Sequence, residues 1–351
     1  MTYPNVKSLQ RILVIRFSSL GDIVLTSPVV RAIRQQVADV KIHFLVKKQF
    51  RNLVEHNPNI DHVHAIDSSI SLRDFLKFRN QLFTNYQFDA VVDLHDSLRS
   101  RIMSMGAGLP VCRYSKDRFR RWLYIYWKLQ TRAMSFDIVE KYFRALEDLG
   151  IQGEDKDLDF YFPEHFEFDS VGAIDDFEDF EGSEFPITVA PGAAWKTKQW
   201  LPDRFAKVCE HLISEYGATI ALLGSAAEEG IARDIYSQLS GTESVFNYVG
   251  KTSIMESALL TKAAKLHIAN DSGLTHIARA VNTPAMVVMG GTTPDLGFFQ
   301  NFTGGEVIED ADLWCRPCSH IGRDSCPLGH FRCMKNISTE QVINTLQRMI
   351  N

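Results

Sequence analysis

The chain has 351 residues, 45% hydrophobic and 23% charged, with a formal net charge of -5, a length that suits two domains with full cores. This composition excludes disordered, fibrous and membrane-spanning classes, and the acidic balance argues against nucleic acid as a partner. No apolar run approaches the ~18 residues of a spanning helix and the N-terminus lacks a signal peptide's hydrophobic core, so a cytoplasmic location is expected.

In chain order, "RILVIRF" (11–17) reads as a buried strand, "PVVRAIRQQV" as a helix, and "KIHFLVK" (41–47) and "FDAVVDLH" (88–95) as further strands. Strands alternating with helices predict parallel pairing in a doubly wound α/β sheet. The pattern pauses between Pro163 and Pro186, an acidic stretch that reads as a surface linker, although its phenylalanines allow a short packed helix. A second α/β series follows: "FPITVAPG" (185–192), "PDRFAKVCEHLISEYG", "ATIALLG" (218–224), "EEGIARDIYSQLS", "KLHIAND" (265–271), "GLTHIARAV" and "PAMVVMG" (284–290). Neither half carries a G-x-G-x-x-G turn, so a nicotinamide dinucleotide is not indicated. Open α/β sheets take ligands beyond the carboxyl ends of their strands, so two such sheets predict a cleft there.

The chemistry-bearing residues fall after strands. In "FSSLGDIVLTSP" (17–28), Gly21 permits an unusual turn or a close approach, and Asp22 stands at the cleft edge; taken alone, the stretch reads more simply as a helix cap. "DLHDSLRSR" adds Arg99 and Arg101 as cations. In "PGAAWKTKQWLPDRF" (191–205), Gly192, Ala193 and Ala194 let a ligand reach the main chain while Lys196 and Lys198 can meet phosphate; solvated surface lysines are the plain alternative. In "HIANDSGLTHIARAV", Asn270, Asp271, Ser272 and Gly273 leave a strand and open a helix, whose free N–H groups and positive dipole end favour an anion, with His276 one turn in. Glu228 opens another helix, where it could receive ribose hydroxyls or serve only as a first-turn acid.

Two further features stand apart. "RYSKDRFRRWLYIYWKLQTR" (113–132) sets basic residues, Arg120 and Arg121 among them, between aromatics, which suits an anionic membrane surface, a phosphorylated acceptor, or a packed helix with a solvated basic side. Cys315, Cys318, Cys326 and Cys333 form C-x2-C-x7-C-x6-C near His320 and His330, a spacing compatible with a structural zinc or with reduced, packed thiols. "STEQVINTLQRMI" predicts a last helix beginning at Ser338.

Together, "RILVIRFSSLGDIVLTSPVVRAIR", "DLHDSLRSR", "PGAAWKTKQWLPDRF", "NDSGLTHIARAV" and "CPLGHFRCM", in this order, resemble glycosyltransferase family 9, the lipopolysaccharide heptosyltransferases. The resemblance implies a GT-B fold of two facing Rossmann-like domains with parallel sheets and an interdomain cleft: an acceptor domain at 1–165, an acidic linker at 166–186, a nucleotide-sugar domain at 187–334, and a helix at 335–351 returning to the N-terminal domain. By position it implies Asp22 as general base and Lys198 at the diphosphate. The donor side comprises Gly192, Ala193, Ala194, Lys196, Glu228, Thr252, Asp271, Ser272, Gly273 and His276, and the acceptor side Ser19, Gly21, Arg99, Arg101, Arg120 and Arg121. Family members often carry hydroxyl residues where Ala193 and Ala194 stand, so only main-chain N–H groups could serve there. The implied activity is inverting transfer of heptose from ADP-heptose to an anionic glycolipid of the lipopolysaccharide core, at the cytoplasmic face of the inner membrane and with no obligatory cofactor. A sugar-nucleotide epimerase and a silent sugar-nucleotide binder remain as alternatives.

Overall fold

A computed structural model describes residues 9–129, 137–164, 166, 177–299 and 302–351. The chain divides into two units, Met1–Asp117 with Ile138–Glu164, and Arg118–Asp137 with His165–Asn351.

In the first unit, β1 (Arg11–Ile15), β2 (Lys41–Lys47), β3 (His62–Ile66), β4 (Ala90–Asp93) and β5 (Val111–Arg113) pair in parallel in the order β3-β2-β1-β4-β5. Near-continuous burial of Ile12 to Ile15 and of Ala90 to Asp93 is what a parallel sheet covered on both faces requires. The helices α1 (Leu20–Val24), α2 (Ser27–Gln36), α3 (Leu72–Tyr86) and α4 (Leu98–Ser104) connect these strands. The next helix, α5 (Arg118–Trp127), belongs to the second unit, and α6 (Ile138–Arg144) comes back to pack on α2.

In the second unit α7 (Phe177–Glu181) precedes β6 (Pro186–Ala190), β7 (Thr219–Leu222), β8 (Val245–Asn247), β9 (Leu266–Asn270), β10 (Ala285–Met289) and β11 (Gly305–Glu309). All six pair in parallel in the order β11-β10-β9-β6-β7-β8. The helices are α8 (Pro202–Tyr216), α9 (Glu229–Tyr236), α10 (Ile254–Ala263), α11 (Gly273–Ala280), α12 (Arg332–Lys335) and α13 (Thr339–Ile350).

Each sheet reverses its direction of growth once, between β1 and β4 and between β6 and β9. Such a switch point leaves a crevice beyond the strand ends, because the connecting helices on its two sides depart to opposite faces.

Two stretches have clear anchors within the second unit. The basic, aromatic stretch begins in the first unit, and from Arg118 on it belongs to the second: the Tyr124 hydroxyl donates to Asp295 Oδ2 (2.7 Å), and Lys128 Nζ donates to the carbonyls of Cys315 (3.1 Å) and Pro317 (2.6 Å). Its residues 130–132 lie outside the described residues. The last helix packs on α8 and β11 of the second unit, and its apolar stripe, Val342 and Leu346, is buried in that unit's core with Val208 and Leu212. Of the acidic linker, 167–176 lie outside the described residues; its end forms α7, whose Phe177 and Phe180 pack with Ala221, Leu223 and Leu260.

Candidate active site

In the first unit the turn after β1 is built around one carboxylate. Asp22, at the third position of α1, accepts from the Ser19 N–H (3.1 Å) and Ser19 Oγ (2.6 Å), while its other oxygen meets Arg16 Nη2 at 2.6 Å. Capping is therefore real: Ser19 and Asp22 form a reciprocal capping box of the kind that satisfies free N–H groups at a helix start. A cap alone does not require Arg16, a nearly buried cation (5% exposed) at the end of β1 whose Nη1 also donates to the Leu94 carbonyl. Burial works against ionisation of Asp22, yet the Arg16 charge and the Ser19 bonds outweigh it and hold the carboxyl below its ordinary range. The side chain keeps 21% of its surface open, so the carboxylate is ionised, fixed and reachable.

Beside it, at the end of β4 and thus across the switch point, lies His95. Its ring stands edge-on to Phe17 at 5.1 Å between centroids. Burial, then the charges of Arg16 and Lys116, push the imidazole down to about 4, so it is neutral at ordinary pH. Its Nδ1 is buried with no hydrogen-bond partner among the described residues. Arg16 and His95 were not singled out from the sequence; the signal available for Arg16 was a charge at the end of an otherwise apolar strand.

The expected acceptor cations are deployed unevenly. The Arg99 guanidinium lies over the Phe75 ring (5.6 Å) at a pocket of about 300 Å³ lined by Leu72, Phe75, Leu98, Arg99 and Ile102. Arg101 instead grips Asp96 Oδ1 through Nε (2.9 Å) and Nη2 (2.7 Å), which commits that edge of its guanidinium to the fold. Arg120 and Arg121 sit on α5, in the second unit.

In the second unit, the ends of β6 and β9 bring the expected donor residues together. Lys198 Nζ meets Asp271 Oδ2 at 2.7 Å, and Thr292 Oγ1 donates to the same oxygen at 2.7 Å. Burial alone would raise the Asp271 carboxyl; the charge and hydrogen bond of Lys198, with Thr292 and His276, outweigh it and keep it ionised. Asn270 ties the two strand ends together, its Nδ2 donating to the Pro191 carbonyl (2.6 Å) and its Oδ1 accepting from the Trp200 N–H (3.0 Å). The Lys198 turn also needs Gly290, since a Cβ there would stand 2.7 Å from the Thr197 carbonyl oxygen.

Ser272 occupies the N-cap of α11 but makes no capping bond, and its Oγ is buried with no partner among the described residues. Gly273 opens the helix, whose unpaired first-turn N–H groups favour an anion. His276 lies a turn below, 4% exposed and stacked on Phe299 at 5.1 Å. Glu228 serves the Ser225 N–H (2.7 Å) and Oγ (2.8 Å) with Oε2, and a Cβ on Gly192 would fall 1.9 Å from its Oε1. Lys196 and Ala194 are exposed on the same turn, and Ala193 is buried, its carbonyl accepting from Gln199 Nε2 (2.7 Å). Thr252 Oγ1 is paired with Ser257 Oγ at 2.9 Å.

The cysteines do not make the zinc enclosure that their spacing allowed. Among the described residues no three His, Cys, Asp or Glu side chains are disposed to hold a metal ion. The four thiols stay close enough to influence one another's charge: Cys333 is buried in the core, Cys318 Sγ reaches the Gly291 carbonyl (3.5 Å), Cys326 Sγ accepts from the Phe331 N–H (3.4 Å), and Cys315 Sγ lies 3.9 Å from His330 Nε2.

One switch point thus holds an arginine-paired carboxylate and the other a lysine–carboxylate pair at a helix start. The profile of Glycosyltransferase family 9 (heptosyltransferase) matches residues 75–325. This chain belongs to glycosyltransferase family 9. It is 25% identical over 355 residues to lipopolysaccharide heptosyltransferase 1 of Campylobacter coli, a match covering 97% of this chain and 98% of that protein. The crystal structure of the family 9 glycosyl transferase from Veillonella parvula superposes with a TM-score of 0.79 at 21% identity, covering 99% of each chain. The E. coli ADP-heptose lipopolysaccharide heptosyltransferase II does so with a TM-score of 0.71 at 21% identity, covering 97% of this chain and 98% of that one. The two Rossmann-like units are thus those of the GT-B fold. Membership makes this glycosyltransferase family 9 chain a transferase, which sets aside the epimerase and silent-binder alternatives.

Proposed function

We propose that the protein transfers heptose, with inversion, from ADP-heptose to an anionic inner-core lipopolysaccharide acceptor at the cytoplasmic face of the inner membrane. The names of its relatives point to heptose and to lipopolysaccharide. The observation that carries the chemistry is the Lys198–Asp271 pair beside the unused Ser272 hydroxyl and the opening of α11. Diphosphate entering there meets a lysine, a helix N-terminus and a free hydroxyl, all preorganised for the negative charge that grows as the nucleotide departs. Glu228 Oε1 is assigned to the ribose, and the main-chain N–H groups of Gly192 to Ala194 to the phosphates.

On the acceptor side Asp22 takes the proton from the attacking hydroxyl. Arg16 keeps it a carboxylate and Ser19 fixes its rotamer, so one oxygen is oriented before the substrate arrives. The leaving charge is met by a lysine and a helix end, so the scheme uses no metal. The test is Asp22→Asn, which retains a hydrogen-bonding cap and removes the base. Turnover of ADP-heptose with a core acceptor should fall at least ~10²-fold with the melting temperature little changed. Near-normal turnover would reduce Asp22 to a cap.

A further inference from the structure

We propose that α5 is a bilayer-docking helix, its aromatic outer face entering the headgroup region of an anionic membrane. Phe119 (71% exposed), Trp122 (46%), Tyr126 (61%) and Trp127 (63%) face outward, while Tyr124 and Ile125 are buried. Positions 119, 122 and 126 are one helical turn apart and so share a face. Their rings form a ladder, Phe119 on Trp122 at 6.2 Å and Trp122 on Tyr126 at 5.8 Å between centroids. A contiguous apolar surface of this kind on a soluble unit marks an interaction site.

The inner face rules out a helix that is merely loose. Tyr124 is anchored by Thr293 and Asp295, and Lys128 by the carbonyls of Cys315 and Pro317. The outward aromatics are therefore presented by a fixed element.

Charge selects the occupant. In a chain of net charge -5, Arg118, Arg120 and Arg121 lie in the first turn of this helix and Lys116 just before it, so its start carries a local positive charge. Indole and phenol rings, apolar with a polar tip, favour the boundary between headgroups and acyl chains. Basic side chains beside them favour anionic lipid over neutral lipid. A bare sugar phosphate would use the cations and leave the ladder idle.

The proposal rests on the reading of the acceptor as a membrane-borne glycolipid, but its test does not depend on sugar transfer. Full-length protein is sedimented with phosphatidylcholine vesicles that contain or lack phosphatidylglycerol, with tryptophan emission recorded in parallel. Wild type should partition onto the anionic vesicles with a blue shift, and onto neutral ones far less. The triple variant Phe119→Ser/Trp122→Ser/Tyr126→Ser should lose at least about tenfold in partition, with unchanged melting temperature and unchanged turnover on a water-soluble, deacylated acceptor. Unchanged partition of the triple variant, no binding by wild type, or a concentration-dependent dimer abolished by the same substitutions would overturn it. Vesicle binding without heptosyl transfer would sink the proposed activity and leave the docking helix standing.

Discussion

Asp22 shows how one residue satisfies two readings at once. It caps α1 through Ser19 and is held ionised by Arg16, and only the second property bears on catalysis. Because its folded carboxyl lies below the ordinary range, its ionised form adds stability above that range, and this is lost as pH falls through the lowered value. With Asp22 as the proposed base, the same pairing should set the acid limb of activity. Substituting Arg16→Gln removes the charge that opposes burial, so the Asp22 carboxyl should rise and the acid limb of kcat/KM should move to higher pH. A pH–rate profile checks this; a limb that stays put would mean that another group titrates. "RILVIR" already displays Arg16, but its partner lies six residues on across a turn, and nothing in the one-dimensional spacing says that the two side chains meet.

At the level of elements, the sites owe their position to strand order. Residues after β1 and β4 become neighbours, as do those after β6 and β9, because each pair flanks a switch point. The sequence reading found α11 and its anion-favouring start but not the link from Thr292, after β10, to Asp271, since that contact depends on β10 lying beside β9. The paired edge of β2 and β3 carries a further consequence. His43, 1% exposed, lies 2.9 Å from His64 between ring nitrogens, with His62 and Tyr86 against it. Burial and the neighbouring imidazoles, with Arg11, push His43 down to about 3 against an opposing pull from Asp61, and burial, His62 and Arg51 push His64 down to about 4. The unfolded chain binds protons that these folded rings refuse, so stability falls as pH drops below about 6.5. At pH 5 the loss should be about 1–2 kcal/mol per ring. Urea midpoints at pH 7.5 and 5 check it, and His43→Gln should flatten the dependence.

At the scale of the whole molecule, the two units carry separate hydrophobic clusters, one around Leu13, Leu45 and Val91 and one around Val189, Ile268 and Val288. A nucleotide bound at β6 and β9 should therefore stabilise the second unit selectively. At about 100 times its Kd, ADP should add about 2.7 kcal/mol to that unit's unfolding free energy. Hydrogen exchange should show new protection at 191–200 and 266–280 and none at 11–24; protection confined to the first unit would reverse the assignment of donor and acceptor sides. The alternation of apolar strands and amphipathic helices, the turns that follow β1, β6 and β9, and the acidic and basic side chains in those turns were all legible in the sequence, because hydrophobic period and turn chemistry are local properties of the chain. Which unit α5 belongs to, that α13 joins the second unit's core, and that Arg101 finds Asp96 were decided by tertiary structure. Those outcomes depend on which buried surface each side chain finds at long range, and a linear order of residues does not contain that information.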